Sequence, residues 1–377
     1  MPKSSDDNFR DWIPDPKWIR TFQKNLLAWY HENGRSLAWR GTTDPYKVWV
    51  SEIMLQQTTT AAVDSYYRRF IKRFPDVKTL AEAELTEVQR YWEGLGYYRR
   101  VKQLHQASIV IVNEHNDIFP DTFDAVLALP GIGRYTAGAI CSIAQNQRYP
   151  ILEANTIRLH ARLLGYSDDP AKSFGNKLLW KMAEKILPET RPGHFNQALM
   201  DLGSLVCTPK TPKCSICPVF ILCQAACRGT QNQIPALNKG KTFEERTEVA
   251  LVVEKNKKYL MIQYPESVRW GGLWDFPRHV ADSSEKLIVN QKLLEDFKRI
   301  TGYSCSIQKQ IMTIRHAVTK FKIKLCVCQA ELTGQKTVSE YRTYWMSKKE
   351  LAEIPLNTTA RKIVNSILCE HHSDIQS

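Results

Sequence analysis

Apolar positions recur at helical spacing through roughly the first 225 residues and then change period. Trp18, Phe22, Leu26 and Trp29 lie on one helical stripe that Gly34 would terminate. Val101, Leu104, Ser108 and Val112 repeat the pattern. Short breaks at Asp44-Pro45, Phe74-Pro75, Gly94-Leu95-Gly96, Phe119-Pro120 and Pro130-Gly131 separate such stretches. A compact, mainly α domain over residues 17–227 is predicted. Arg228 to Arg246 is polar, basic and weakly periodic, so 228–246 reads as a linker. Beyond it, 248–254 and 258–263 read as strands. Phe321, Ile323, Leu325 and Val327 alternate with Lys320, Lys322, Lys324 and Cys326 as in a half-buried strand. A further strand near 341–346 and a last helix carrying Ile363, Val364 and Ile367 complete an α+β domain over 247–370.

Composition adds a partner to this picture. The 377 residues exceed one ordinary core, and a 43% hydrophobic content is that of a soluble globular protein. The formal charge of +13 favours a polyanion, nucleic acid above all, although charge alone is also compatible with a merely basic protein. Met1 to Arg10 holds no apolar signal core and no long apolar run follows, so a cytoplasmic chain without a membrane span is expected. In that compartment the ten cysteines are expected to be thiols rather than disulfides.

Four of them concentrate as Cys207-x6-Cys214-x2-Cys217-x5-Cys223. Four thiolates and no histidine in one short loop can enclose a zinc ion or an iron–sulfur cluster. Structural zinc sites usually use two Cys-x-x-Cys knuckles, and only one is present. Cys227 lies just outside as a bystander, and Lys210, Lys213 and Arg228 put positive charge around the loop. Leu129-Pro130-Gly131-Ile132-Gly133 is a tight turn before a helix starting at about Arg134. Its backbone N–H groups and helix N-terminus can hold a phosphate without reading sequence. By itself the turn is equally compatible with a plain helix–helix connection. Glu52, Gln56 and Thr59 are expected on one face of a helix otherwise lined by Trp49, Ile53 and Met54.

These motifs together resemble one family. The unequal cysteine spacing is similar to the 4Fe-4S loop of the endonuclease III and MutY glycosylases. The glycine turn looks like their helix–hairpin–helix. Ser51-Glu52-Ile53-Met54-Leu55-Gln56-Gln57-Thr58 is similar to the segment that carries the general acid in the MutY family. Trp39 after Leu37-Ala38, Gly94-Leu95-Gly96-Tyr97-Tyr98 and Phe195-Asn196-Gln197-Ala198-Leu199-Met200-Asp201-Leu202-Gly203 are MutY-like as well. Gly272-Leu273-Trp274-Asp275-Phe276-Pro277 extends the likeness into the second domain, which resembles a Nudix fold.

The resemblance implies a monomeric adenine DNA glycosylase of base excision repair that removes adenine opposite 8-oxoguanine or guanine in double-stranded DNA. It implies Glu52 as general acid, Glu153 as the carboxylate facing the sugar cation, and Asn155 and Tyr135 as pocket residues. Trp39, Gln56, Gln57, Tyr97, Gly131, Gly133 and Arg134 are expected at the DNA, and Cys207, Cys214, Cys217 and Cys223 around a 4Fe-4S cluster. Lyases of the superfamily carry a lysine where Tyr135 stands, so base removal without strand cleavage is expected. Two departures stand out. The family reads Asp-Gly-Asn where this chain has Glu153-Ala154-Asn155, which changes the reach of the carboxylate. The family's lesion-sensing loop reads Phe-Ser-His, whereas here Val318-Thr319-Lys320 follows His316-Ala317, leaving Thr319 as the hydroxyl donor. Residues 285–302 lack an Arg-Glu-x-x-Glu-Glu run, so no magnesium-dependent nucleotide hydrolysis is expected. Two rivals remain at this stage: a mismatch glycosylase of another base preference, and a non-catalytic binder of damaged DNA.

Overall fold

A computed structural model of the chain describes residues 9–236, 243–266, 268, 270–281, 291–318 and 320–369. The chain divides into two compact units, one of residues 1–82 with 102–240 and one of 83–101 with 241–377. The second unit thus takes in a short stretch that helical periodicity alone assigns to the first domain. No helix among the described residues is long and apolar enough to cross a membrane.

The first unit is helical. It contains α1 (Pro16–Asn33), α2 (Pro45–Leu55), α3 (Thr60–Arg73) and α4 (Val77–Glu82). After a helix of the other unit, α5 (Leu85–Trp92), come α6 (Arg99–His115), α7 (Phe123–Ala128), α8 (Arg134–Ile143), α9 (Ala154–Leu164), α10 (Ser173–Ile186), α11 (Pro192–Leu205) and α12 (Gln224–Cys227). The first turns follow the expected chemistry. Asp15 and Asp44 accept hydrogen bonds from the next free N–H groups, and a proline holds the first helical position after each. Phe22 and Leu26 of α1 meet Leu159, Leu163, Leu178, Met182, Phe195 and Leu202 in one core. Helix α11 lies at its middle, against α1, α8 and α9. Helix α2 has almost no solvated face, being buried from Tyr46 through Met54 except at Lys47, so it is an interior helix rather than an amphipathic one.

The second unit is built on a sheet of β1 (Glu244–Lys255), β2 (Lys258–Gln263), β3 (Trp274–Asp275), β4 (Arg278–Ala281), β5 (Cys305–Val318), β6 (Phe321–Leu332) and β7 (Arg342–Ser347), with α13 (Gln291–Thr301), α14 (Lys348–Glu353) and α15 (Thr358–Cys369). The path runs β3-β2-β1-β6-β5, with β4 on β1 and β7 on β2. Among the described strands only β1 and β6 pair in parallel. Alternate residues of β1 point to opposite faces. Ala250 and Val252 join a core with Ile363 and Val364 of α15, and Val249, Leu251 and Val253 join one with Leu293 and Phe297 of α13. A sheet covered on both faces explains where the half-buried expectation for β6 fails. Lys322 and Lys324 are exposed, but Cys326 and Cys328 are buried on the α13 side.

Candidate active site

Helix α2 carries Glu52 into the interior, with 5% of its surface exposed. Its partner comes from far along the chain. Gly131 adopts φ +78 in the turn before α8, and a side chain there would place its Cβ 2.7 Å from Cβ of Gln103. The turn sets the start of α8, and the second residue of that helix, Tyr135, donates its hydroxyl hydrogen to Oε2 of Glu52 at 2.6 Å. Burial pushes the Glu52 carboxyl up from its ordinary range. The Tyr135 hydrogen bond and the Arg40 charge oppose the shift, and the nearby Glu153 charge adds to it. A carboxyl whose neutral form is favoured in this way can give a proton to a leaving base.

Glu153 stands at the N-cap of α9. Its Oε2 accepts from the backbone N–H of Asn155 at 2.9 Å and from Asn155 Nδ2 at 3.2 Å, and its Oε1 from Thr156 N–H at 3.0 Å. The Thr156 hydroxyl closes the capping box at the Glu153 N–H. The extra methylene of Glu is absorbed here, because the side chain folds back onto the helix start. Ala154 occupies the first helical position, where alanine is at ease and no glycine is needed. Burial again raises the carboxyl, and the hydrogen bonds from Asn155 and Thr156 counter it. Asn155 is in turn fixed by Arg158, whose Nη2 donates to Asn155 Oδ1 at 2.9 Å while its Nε donates to Cys207 O at 2.8 Å.

Glu52, Tyr135, Glu153 and Asn155 line one open pocket of ≈ 950 Å³ together with Trp39, Thr59 and Met200. Two arginines that sequence reasoning passed over complete it. Arg35 binds the fully buried Asp201 through Nη2 at 2.6 Å and Nε at 3.0 Å, and Arg40 reaches the same carboxylate at 3.2 Å and Tyr30 Oη at 2.7 Å. The signal was in the chain. An Asp within the apolar run Phe195 to Gly203 has to find a cation, and Arg35 and Arg40 bracket Trp39.

The other expected residues are placed as follows. Helix α2 ends at Leu55 because Gln57 takes a left-handed φ of 58, so Thr59 does not share a helix face with Glu52; it caps α3 instead, accepting from Ala62 N–H at 3.4 Å. Gln56 donates to Thr136 Oγ1 at 3.4 Å, and Gln57 is exposed. Trp39 is buried edge-on against Tyr67 and meets the pocket from inside. Gly131, Gly133 and Arg134 are exposed at the hairpin, with the Arg134 guanidinium 3.8 Å from the Trp180 ring centre. Tyr97 belongs to the second unit, is 53% exposed and has φ +50. Thr319 lies outside the described residues.

The cysteine loop wraps around the far end of α9. Cys207, Cys214, Cys217 and Cys223 all line one cavity in the first unit with Leu159, Val206 and Val219. Arg162 of α9 donates to Cys207 Sγ at 3.3 Å and to the carbonyls of Thr208 and Pro209. Burial pushes the Cys217 thiol up to about 12 and Cys223 up to about 11, with the neighbouring sulfurs adding to both. Among the described residues no three His, Cys, Asp or Glu side chains close on a single metal ion. Cys227 is exposed, and so are Lys210, Lys213 and Arg228.

Comparison with known proteins follows the same division. Residues 50–185 match the HhH-GPD superfamily of base excision DNA repair proteins, and residues 248–366 match a NUDIX domain. An adenine DNA glycosylase of Buchnera aphidicola subsp. Schizaphis graminum is 33% identical, the alignment covering 92% of this chain and 98% of that protein. The human adenine DNA glycosylase is 31% identical over 92% of this chain and 73% of its own length. Among solved structures, a thermostable thymine-DNA glycosylase superposes with a TM-score of 0.52 at 28% identity, covering 56% of this chain and 98% of its own. An endonuclease III–DNA complex gives 0.50 at 20% identity, over 58% and 100%, and shares the fold.

Proposed function

This chain belongs to the adenine DNA glycosylase family, and from that premise we propose how its own residues release the base. The reaction is hydrolysis of the N-glycosidic bond of adenine in duplex DNA. The target nucleotide leaves the stack at a cost of roughly a few kcal/mol and enters the pocket. Glu52, kept protonated by burial, gives its proton to the departing adenine. Tyr135 holds that carboxyl at one oxygen and leaves the other to face the base. Glu153 remains ionised and faces the sugar as positive charge develops, held in place by the N–H groups of Asn155 and Thr156; a water then adds to C1′ of the sugar cation and its proton returns to the carboxylate left on Glu52, giving free adenine and an abasic sugar. Arg158, which fixes Asn155, adds a positive charge that favours the ionised state of Glu153. The hairpin N–H groups and Tyr97 meet the duplex outside the pocket.

Among the described residues the pocket lining includes no lysine, and Tyr135 has no amine with which to form a Schiff base. This supports base release without strand scission. The four thiols around one cavity suit a 4Fe-4S cluster, which would brace the loop and the end of α9 when bound. The second unit is read as the part that senses the opposite base, 8-oxoguanine or guanine, through the β5–β6 turn.

The observation that carries this reading is the 2.6 Å hydrogen bond between Tyr135 and a buried Glu52 in the same pocket as Glu153. Single-turnover base release tests it, with adenine placed opposite 8-oxoguanine, guanine, cytosine and thymine, and thymine opposite guanine as a further arm. Adenine opposite 8-oxoguanine should be fastest, and product strands should break only after hot alkali. Glu52→Gln should lower the rate at least ~10²-fold while leaving DNA affinity nearly intact. Near-native turnover by that variant would move the proton to another group. Faster release of thymine would assign the chain a different base.

A further inference from the structure

The stretch 83–101 belongs to the second unit, and the structure shows what holds it there. Glu93, its carboxylate 6% exposed, receives Arg361 Nε on Oε1 at 2.6 Å and Arg361 Nη2 on Oε2 at 3.1 Å. The same Oε2 accepts the Leu356 backbone N–H at 3.2 Å and Arg90 Nη1 at 3.2 Å. Arg361 completes its fork on the carbonyls of Leu351 and Ile354. Tyr98 returns the contact from the other side, donating its hydroxyl to Leu356 O at 3.1 Å. The connector between α14 and α15 therefore grips the chain on both flanks of Gly94-Leu95-Gly96-Tyr97. That connector is itself pinned to the sheet, since Asn357 Nδ2 donates to the buried Asp275 at 2.7 Å and Leu356 bridges to Trp274.

Between the two grips the loop is bent and presented outward. Gly94 and Gly96 take φ of +101 and +71, and Tyr97 takes +50, a conformation that costs a non-glycine residue about 1 kcal/mol and persists only where the surroundings impose it. Trp92 Nε1 donates to Gly96 O at 3.2 Å, and the Arg100 guanidinium lies 5.2 Å from the Tyr97 ring centre and 5.5 Å from that of Trp92. The result is an aromatic ring held against solvent on a braced loop rather than one folded into the core.

We propose that Glu93 and Arg361 are positioning residues for DNA engagement: their buried ion pair, with Tyr98 on Leu356, lets the C-terminal unit set the aromatic loop at Tyr97 that stacks on the duplex. The inference rests on the reading that Tyr97 meets DNA. It makes the C-terminal unit part of duplex distortion whichever base lies opposite the adenine. A buried bidentate pair is suited to this, because removing one partner strands the other in a site of low dielectric and releases the loop.

A double-mutant cycle in the full-length protein separates this role from general stability. Affinity is read at binding equilibrium with a duplex carrying adenine opposite guanine, using Glu52→Gln as the common background to prevent base loss. Tyr97→Ala should weaken binding roughly tenfold, the scale of one lost base–aromatic stack. Arg361→Ala, and the milder Glu93→Gln and Tyr98→Phe, should each weaken it about threefold or more, with 2-aminopurine beside the target base less bright because the duplex is less distorted. In the Tyr97→Ala background the same three changes should cost almost nothing further, as coupled sites require. Full, additive losses in both backgrounds, or native affinity and 2-aminopurine signal for both Glu93→Gln and Tyr98→Phe, would overturn the proposal. No effect of Tyr97→Ala itself would remove the reading of Tyr97 and the proposal with it.

Discussion

At the scale of single residues, the proposed chemistry rests on two carboxyls that would work in opposite protonation states although burial acts on both in the same direction. Burial raises both Glu52 and Glu153. In the proposed reaction Glu52 works protonated, so activity should fall as pH rises through its raised value. Glu153 works ionised in that reaction, so activity should rise with pH through its own. Base release should therefore be bell-shaped in pH, with limbs that belong to the interacting pair. The linkage has a definite sign. A carboxyl raised in the folded state contributes stability below its unfolded value, and that contribution is lost as pH rises through the folded value. Glu52→Gln cannot ionise, so its melting temperature should exceed that of the native protein at pH 8 and approach it at pH 5. A deficit that grows with pH would show that Glu52 is stabilised as the anion. For Glu153 the N-cap geometry decides the direction. Aspartate is a favoured N-cap, so Glu153→Asp should fold normally and keep base release within about tenfold. Glu153→Gln should lose at least ~10²-fold because the sugar cation then lacks its counter-charge. A dead Asp variant would show that the pocket depends on the longer arm. The sequence displayed both carboxyls, but it could not show that one folds back to cap a helix.

Among the elements, the hairpin before α8 carries the most consequence for the least chain. It aims Tyr135 at Glu52 and leaves N–H groups exposed at a helix start. Its two glycines do different work. Gly131 needs a positive φ and has Gln103 where a Cβ would sit, whereas Gly133 has an extended φ of −103 and nothing within 4 Å. Gly131→Ala should thus lower stability by about 1–2 kcal/mol and displace Tyr135, reducing both melting temperature and base release. Gly133→Ala should leave the melting temperature unchanged and weaken DNA binding several-fold, because a methyl group stands where a phosphate would approach. Equal stability losses in the two variants would refute this division. Periodicity foresaw α1, α6 and the strand near 341–346, because each has one wetter and one drier face, and the apolar run at 259–262 marked a strand buried on both faces. It misjudged the end of β6, where α13 covers a face that the lysines suggested was wet.

For the whole molecule, two basic units and a thiol-lined cavity set the global behaviour. A chain of charge +13 should bind DNA with an affinity that falls steeply with salt, as release of condensed counterions requires. Purified protein should be yellow-brown with about four iron and four sulfide per chain. Cys217→Ser should lower the iron content, the melting temperature and DNA affinity together, since Arg158 and Arg162 tie the loop to the helix that carries Asn155 and Glu153. Colourless, zinc-loaded protein with native stability would refute the cluster assignment.

Local patterns by themselves determined the elements, the unequal cysteine spacing, the glycine turn and the candidate acids, because periodicity, capping and ligand spacing act over a few residues. What lay beyond them was every feature made by contacts between distant positions. Arg35 and Arg40 meet Asp201 across more than 160 residues, Tyr135 meets Glu52 across 83, and Arg361 meets Glu93 across 268. These partners were not legible because a buried charge announces only that it needs a counter-charge, not which one packing will bring. The assignment of residues 83–101 to the C-terminal unit has the same origin. Helical spacing shows that the stretch has an apolar stripe, and only the tertiary structure decides which core that stripe joins.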